Sequence, residues 1–534
     1  MRQPRHVLLL AAPLLLAGVA AALLHGQDRG LPLRVWALRL PGTELGLDVV
    51  DVDGDGTKDL VISHMTDPQA SGPRAVSVFL HAKTGPRFGA ASRVVSAPTD
   101  ACAFLAADLD PAPGLEVVFL CPNRIVVVKA TGELVETKPA GQLFFDYPEG
   151  GALQAWDLCE DLDGDGLPEL VVPTKEGYLV LGRQKSGALA PQGDDGGLAP
   201  RGQVAVPAET RFGPAFESQL LNRFLTATSR LRRVVVVDID ADGKKDLLAY
   251  RNKGLARFLQ RKDGTFPERP DLEVPLQIVR EAEGDDDPKA EEKKQKEGNE
   301  AFANVRLDLE DVDDDGRVDL VVTRTLGEIG LFESLRTQQL VFKAKRDGSW
   351  DEGSPSALVN LKGISADPVF VDFDGDGRRD MILSTYRMDM LTNVKRAIME
   401  SMSITYRVHL RRDGDDPMFD DEPSLSVDVD VPLSSLEKRG GVAPVDLTAD
   451  MDGDGVRDMV QVEPDGGLRV TFGKKSKDGE PELDKKRTMS VAVERTEPPW
   501  VLDLDEDKKS ELILEPFGGL SEAARVVRVI GVER

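Results

Sequence analysis

The chain has 534 residues, more than one hydrophobic core usually supports, so it is either several domains or a repeat array. It carries 93 acidic against 67 basic residues, for a net charge of −26 and a pI near 4.8. Nucleic acid is set aside as a partner, because phosphate binding needs a dominant basic face.

Residues 1–26 read as an export segment. Arg2 and Arg5 make a positive start, Val7 to Leu24 is almost wholly apolar, and Ala20 and Ala22 give a small-residue cleavage pattern. A run of this length also sits at the lower limit for a membrane span, so the segment is either a cleaved signal peptide or a retained N-terminal anchor. Either way the expected location is secreted, periplasmic or in the cell envelope. LRVWALRL, Leu33 to Leu40, follows as a strand with no unit of its own.

The chain then repeats itself. DVDGDGTKD from Asp51 recurs as DLDPAPGLE from Asp108, DLDGDGLPE from Asp161 and DIDADGKKD from Asp238. Further copies are DVDDDGRVD from Asp311, DFDGDGRRD from Asp372, DMDGDGVRD from Asp450 and DLDEDKKSE from Asp503. Each loop lies between two apolar stretches, and successive loops start 57, 53, 77, 73, 61, 78 and 53 residues apart. Each unit has the same order: a strand into the loop, a strand out, a third strand such as AVSVFLHAKTG or GLRVTFGKK, an Asp-Gly or Thr-Gly turn, and a fourth strand. An aromatic often follows the turn, as at Phe88, Phe266 and Trp350. Repeated four-stranded units of this length specify an all-β, eight-bladed β-propeller over 33–534, with a seven-bladed ring as the alternative if the degenerate second unit is absorbed. Leu33–Leu40 is expected to close the last blade as its fourth strand.

The loop chemistry points to calcium. A hard cation wants six to eight oxygens. Carboxylates at alternate positions of a tight loop converge on one point, and glycine at position 6 allows the sharp turn. The ligand set is Asp51, Asp53, Asp55, the carbonyl of Thr57 and Asp59 in the first loop. The third loop offers Asp161, Asp163, Asp165, the Leu167 carbonyl and Glu169, and the fourth Asp238, Asp240, Asp242, the Lys244 carbonyl and Asp246. The fifth has Asp311, Asp313, Asp315, the Arg317 carbonyl and Asp319; the sixth Asp372, Asp374, Asp376, the Arg378 carbonyl and Asp380. The seventh has Asp450, Asp452, Asp454, the Val456 carbonyl and Asp458. An EF-hand would place a glutamate at position 12, where the first loop has Ile62 inside a strand. Asp-Gly alone makes a turn, but a turn does not need acids at positions 1, 3, 5 and 9 together.

Two copies depart. The second keeps Asp108, Asp110 and Glu116 but has Ala112 and Pro113 at positions 5 and 6. The eighth keeps Asp503, Asp505, Asp507, the Lys509 carbonyl and Glu511 but has Lys508 at position 6. Both are expected to bind weakly, which gives about six to eight ions in all. The loop positions hold 31 carboxylates, without which the chain would carry +5, so the acidity belongs to the loops.

Other segments read differently. Residues 281–300 are nearly all charged and are expected to be disordered. Residues 184–203 read as a loose loop. Residues 388–403, with Met388, Leu391, Val394, Ile398 and Met402 at helical spacing, and residues 215–229 read as surface helices. Cys102 and Cys121 flank the second loop and either bridge or are small buried hydrophobes. Trp156 and Trp500 are expected to fill blade cores.

These repeats resemble FG-GAP/VCBS repeats, the units of the integrin alpha-subunit propeller and of many secreted bacterial proteins. The resemblance covers about residues 34–534. It implies calcium in the DxDGDGxxD hairpin loops at the positions named above. A monomeric scaffold for a protein or glycan ligand at the cell surface is the leading expectation. Catalysis is not expected: His64, His81 and His409 are dispersed, and no GxSxG, HExxH or phosphate loop occurs. The alternatives are a carbohydrate-binding module, or a polysaccharide lyase or hydrolase on the same frame.

Overall fold

A computed structural model describes residues 33–532 except 67–71, 84–86, 111–112, 140, 146–151, 184–196, 215–224, 241, 252–253, 279–301, 327–334, 387–399, 413, 415–416, 434–444, 464–466, 494–498 and 517–524. The short Val-, Leu- and Ile-rich runs form strands because branched side chains pack well on a pleated surface, and the Asp-Gly turns fold them back. They make eight four-stranded antiparallel sheets arranged as an eight-bladed propeller.

Blade 1 is Thr43–Val50, Asp59–Met65, Arg74–Phe79 and Arg93–Ser96. Blade 2 is Ala103–Ala107, Glu116–Cys121, Arg124–Val128 and Leu134–Thr137, with Gln154–Ala155 added in parallel beside the first strand. Blade 3 is Cys159–Glu160, Glu169–Thr174, Gly177–Arg183 and Leu198–Ala205. Blade 4 is Val234–Val237, Asp246–Arg251, Gly254–Phe258 and Leu272–Pro275. Blade 5 is Phe302–Glu310, Asp319–Leu326, Arg336–Phe342 and Ala357–Lys362. Blade 6 is Val369–Val371, Asp380–Tyr386, Ser401–His409 and Leu425–Pro432, with Ile364–Ser365 extending its first strand. Blade 7 is Val445–Asp446, Met459–Val462, Leu468–Lys475 and Pro481–Val491. Blade 8 is Trp500–Leu502, Glu511–Leu514, Val526–Val532 and, from the other end of the chain, Leu33–Arg39.

That last pairing runs in unbroken antiparallel register from Leu33 opposite Val532 to Arg39 opposite Val526. The degenerate second unit forms a blade of its own, so the ring has eight blades and not seven. The core is divided the same way. Eight apolar clusters each lie between consecutive blades. One of them joins Leu504, Ile513, Val527 and Val529 of the last blade and Trp36 and Leu38 of its closing strand to Leu60, Ile62 and Phe79 of the first. Eight interfaces for eight blades is the signature of a closed ring, which removes the exposed edges an open array would have.

Several expectations are corrected. Residues 225–229 lie in a strand, Leu225–Arg230, which pairs with Glu209–Pro214 in a separate hairpin. Its Thr-Ala-Thr core suits extended backbone, and 215–224 lie outside the described residues. Residues 401–403 likewise begin a blade-6 strand, with Met402 opposite Val431, because the tertiary ladder outweighs the helical spacing; 387–399 lie outside the described residues. Leu198–Ala205 is the outer strand of blade 3, so the loop read at 184–203 ends earlier, and 184–196 are not described. Residues 1–32 and 281–300 also lie outside the described residues. Among those described, no helix is long and apolar enough to cross a membrane. Cys102, Cys121 and Cys159 are free thiols. Trp500 is 44% exposed and does not fill a blade core. Trp156 is half-buried and packs against the clusters on both sides of blade 3.

Candidate metal centres

Each acidic loop joins the first strand of its blade to the second. Its shape comes from its own carboxylates. Asp51 accepts from the backbone N–H of Gly54 at 2.8 Å and of Gly56 at 2.8 Å. The same wrap recurs at Asp161 (Gly164, Gly166), Asp372 (Gly375, Gly377) and Asp450 (Gly453, Gly455). Position 3 accepts from the N–H of position 5, as Asp374 does from Asp376 at 3.1 Å. Position 5 accepts from the N–H of position 7, as Asp55 does from Thr57 at 2.8 Å. Gly56 sits at φ +86°, and a Cβ built there would touch nothing, so glycine is needed for its dihedral and not for space.

Position 9 is built differently. Asp59, Asp319, Asp380, Asp458 and Glu511 are all essentially inaccessible. One oxygen accepts from the N–H of position 2, as in Asp380 from Phe373 at 2.9 Å. The other accepts from backbone at or just beyond the end of the third strand: His81 to Asp59, Gln260 to Asp246, Ala344 to Asp319, Arg411 to Asp380 and Gly473 to Asp458, at 2.7–2.8 Å. Position 9 therefore brackets the loop to its own blade.

Acidic charge is concentrated at these loops. Burial pushes the position-9 carboxyls up, the backbone donors pull them partly back, and the neighbouring acids push them up again. Asp59 and Asp246 reach about 6; Glu116, Glu169, Asp319, Asp380, Asp458 and Glu511 reach about 7. These are groups arranged for a cation that would hold them ionised.

The convergence is geometric. Ligand oxygens lie within 4.8 Å of one another in Asp51, Asp53 and Asp59; in Asp161, Asp163 and Glu169; in Asp238, Asp240 and Asp246; in Asp311, Asp313 and Asp315; and in Asp372, Asp374 and Asp380. In the fifth loop, Asp313 Oδ1 is buried with no hydrogen-bond donor, and so is Asp503 Oδ1 at position 1 of the eighth. A buried carboxylate oxygen left in this state is costly, and a hard cation in the loop would satisfy it. The residues of these loops fit a calcium-type ion.

Basic side chains also reach the loops. Lys129 Nζ lies 3.1 Å from Asp110 in the second. Lys343 Nζ is 2.5 Å from Asp313 in the fifth, and Arg487 is 2.5 Å from Asp452 in the seventh. Arg87, from blade 1, pairs with Asp505 and Glu511 of the eighth. Reading the loops alone misses these partners. The available signal is the basic residue that recurs near the Asp-Gly and Thr-Gly turns, as in KATG, KAKRDG and TGPRF.

The loops also touch one another. The N–H of position 8 donates to the carbonyl of position 2 in the preceding loop: Leu115 to Val52, Lys245 to Leu162, Arg457 to Phe373, and, across the closure, Lys58 to Leu504. Ser510, position 8 of the eighth loop, donates instead to the carbonyl of Asp450, position 1 of the seventh. At the third loop position 8 is Pro168, which has no N–H to give.

On the side away from the loops, Trp156 lines an open cleft of about 330 Å³ with Phe144, Phe145, Tyr178, Asp157 and Arg233. Phe145 and Trp156 meet edge to face at 5.7 Å, and Arg233 pairs with Asp157 at 2.7 Å.

Residues 311–383, from the fifth loop through the second strand of blade 6, match the FG-GAP-like repeat family. The chain thus carries an FG-GAP-like repeat on an eight-bladed propeller, in keeping with the FG-GAP propellers. No curated protein matches its sequence. Among solved structures it is similar to the Vibrio cholerae biofilm matrix protein Bap1, at 11% identity over 93% of this chain and 88% of that one, with a TM-score of 0.37. It is also similar to an Agrocybe aegerita lectin specific for non-reducing terminal N-acetylglucosamine, at 14% identity over 85% and 93%, with a TM-score of 0.35. A third likeness is to BBS1N in complex with ARL6DN, at 9% identity over 93% and 94%, with a TM-score of 0.31. Likenesses this distant say nothing about function.

Proposed function

We propose that this is an exported, calcium-stabilised propeller that serves as a rigid scaffold for binding another macromolecule in the cell envelope or outside the cell. The observation that carries the calcium part is the convergence of three carboxylates in loop after loop, together with the stranded Asp313 oxygen. The ion would be held by positions 1, 3, 5 and 9 and the position-7 carbonyl, and would supply positive charge to loops that otherwise repel themselves. Its role is to fix hairpins, because the loops are wrapped on their own backbone and buried at position 9. Export supports the reading, since modest-affinity sites fill where calcium is abundant.

Glycan is the second reading for the ligand, and the aromatic cleft favours it. Half-buried rings beside an exposed Asp-Arg pair suit a sugar, with apolar C–H faces against the rings and hydroxyls to the charged pair. Calcium counting by equilibrium dialysis tests the metal. Asp374→Ala should lose one ion, and Asp108→Ala should cost less because that loop already lacks an acid. Wild type that binds no calcium, and melts identically with and without chelator, would end the reading. Capture from an envelope extract and binding to a glycan panel, each with and without chelator, would separate protein from glycan ligands.

A further inference from the structure

The eighth loop has all the acids of a metal loop, yet it already holds a cation. Asp503, Asp505, Asp507 and Glu511 stand at positions 1, 3, 5 and 9. The backbone follows the path of the other loops although two glycines are missing. Glu506 and Lys508 sit at φ +57° and +68°, where Gly54 and Gly56 sit at +73° and +86°. The internal bonds match as well. The Lys508 N–H donates to Asp503 at 2.9 Å and the Lys509 N–H to Asp507 at 3.0 Å, like Gly56 to Asp51 and Thr57 to Asp55. Lysine at position 6 therefore does not spoil the loop.

What distinguishes it is Arg87. Its guanidinium pairs with Glu511 Oε1 and lies 3.6 Å from Asp505 Oδ2, so it bridges positions 3 and 9, both inaccessible. Arg87 is itself only 6% exposed. It also donates to the Val532 carbonyl at 3.2 Å and stacks over the Trp36 ring, 5.2 Å from its centroid. Gly531 leaves room for it: a Cβ there would lie 3.0 Å from Glu511 and 3.2 Å from Arg87. The basic side chains at the fifth and seventh loops differ. Lys343 and Arg487 are more exposed than Arg87 and pair with position 3 and not position 9, so neither bridges two ligand positions of its loop.

We propose that Arg87 is the built-in cation of the eighth loop: it keeps a latent divalent-cation site shut and pins the ring junction without an ion. Arginine suits the task, because its planar fork engages two carboxylates at once and stays charged at any physiological pH. The blade that joins the two ends of the chain is then held independently of calcium supply. This inference rests on the reading that the open loops bind calcium.

Calcium stoichiometry of the full chain tests it, by equilibrium dialysis with ⁴⁵Ca²⁺. Asp374→Asn should lose one ion, which checks the underlying reading. Asp505→Asn should lose none, because Arg87 already fills that loop. Arg87→Gln should gain one ion, and adding Asp505→Asn to it should remove that ion again. The proposal is overturned if Asp505→Asn in the otherwise unchanged protein costs an ion, or if folded Arg87→Gln gains none. Should Arg87→Gln fail to fold, the Asp505→Asn count still decides. Wild type that binds no calcium would instead overturn the reading beneath it.

Discussion

Leu38→Ala should loosen the ring at its seam. Leu38 is 1% exposed, sits on the strand contributed by the N-terminal end, and packs in the cluster that joins blade 8 to blade 1. Removing a fully buried leucine side chain costs about 2–5 kcal/mol, the larger values where the surroundings cannot collapse into the space. Here the neighbours Leu60, Ile513 and Val527 belong to three strands fixed by their own ladders, so a value near the middle of that range, about 3 kcal/mol, is expected. Because a large ring need not unfold in one step, the local readout is hydrogen exchange. Amides of Val526–Val532 should lose protection first, since Leu33–Arg39 is their partner on one side. Arg39→Ala, an exposed position on the same strand, should change protection little. If Leu38→Ala left both the urea midpoint and the exchange of residues 526–532 unchanged, the closure described here would be wrong.

Acid should weaken the fold through His64. It is 1% exposed, its Nε2 faces Ser77 Oγ at 2.9 Å, and burial holds its pKa down at about 4. A histidine with a lowered folded pKa binds fewer protons folded than unfolded, so stability falls as pH drops from about 6.5 to about 4, by about 3 kcal/mol. His64→Asn should remove that part of the pH dependence in urea titrations, and an unchanged difference between pH 7 and pH 4.5 would refute it. Gly56→Ala should cost about 1–2 kcal/mol, from the positive φ alone, since nothing crowds the position. Asp380→Ala measured with calcium should be worse than Asp374→Ala, because it also strands the backbone N–H groups of Phe373 and Arg411, at about 1–3 kcal/mol each. Equal losses would mean that position 9 acts as a ligand only.

Most of the fold was legible because each unit announces itself. The acids, the flanking branched runs and the Gly turns fix one supersecondary unit, and repetition fixes the ring. The closing strand was legible by subtraction: the last unit lacked a strand and Leu33–Leu40 lacked a unit. The hairpin at 209–230 was not. Its second strand was masked by apolar residues at helical spacing in 215–229, so the Gly213-Pro214 turn signal at the end of its first strand pointed to no partner strand. The ligand carboxylates were legible as a pattern. The position-9 bracket was not, because its donors, such as Arg411 for Asp380, lie about thirty residues away. The basic side chains at Asp110, Asp313, Asp452 and Asp505 were hidden for the same reason: a nine-residue motif shows the acids, whereas the cations arrive from neighbouring turns and blades.

The contacts between loops give the repeated sites a collective character. Where position 8 of one loop donates to position 2 of the loop before it, anything that orders one loop also holds an end of its neighbour. Two loops so joined share the cost of ordering, so the first ion bound lowers the cost for the second. The bonds run without a break from the sixth loop through the seventh, eighth and first to the second, and separately from the third to the fourth. Pro168 interrupts the series at the third loop, where the N–H is missing. Calcium should therefore bind cooperatively within the linked groups and independently across the Pro168 junction. Pro168→Ala restores a donor and should steepen the calcium titration without changing the number of ions. A titration equally steep in both proteins would show that the loops act alone, and that these hydrogen bonds align the blades without linking their sites.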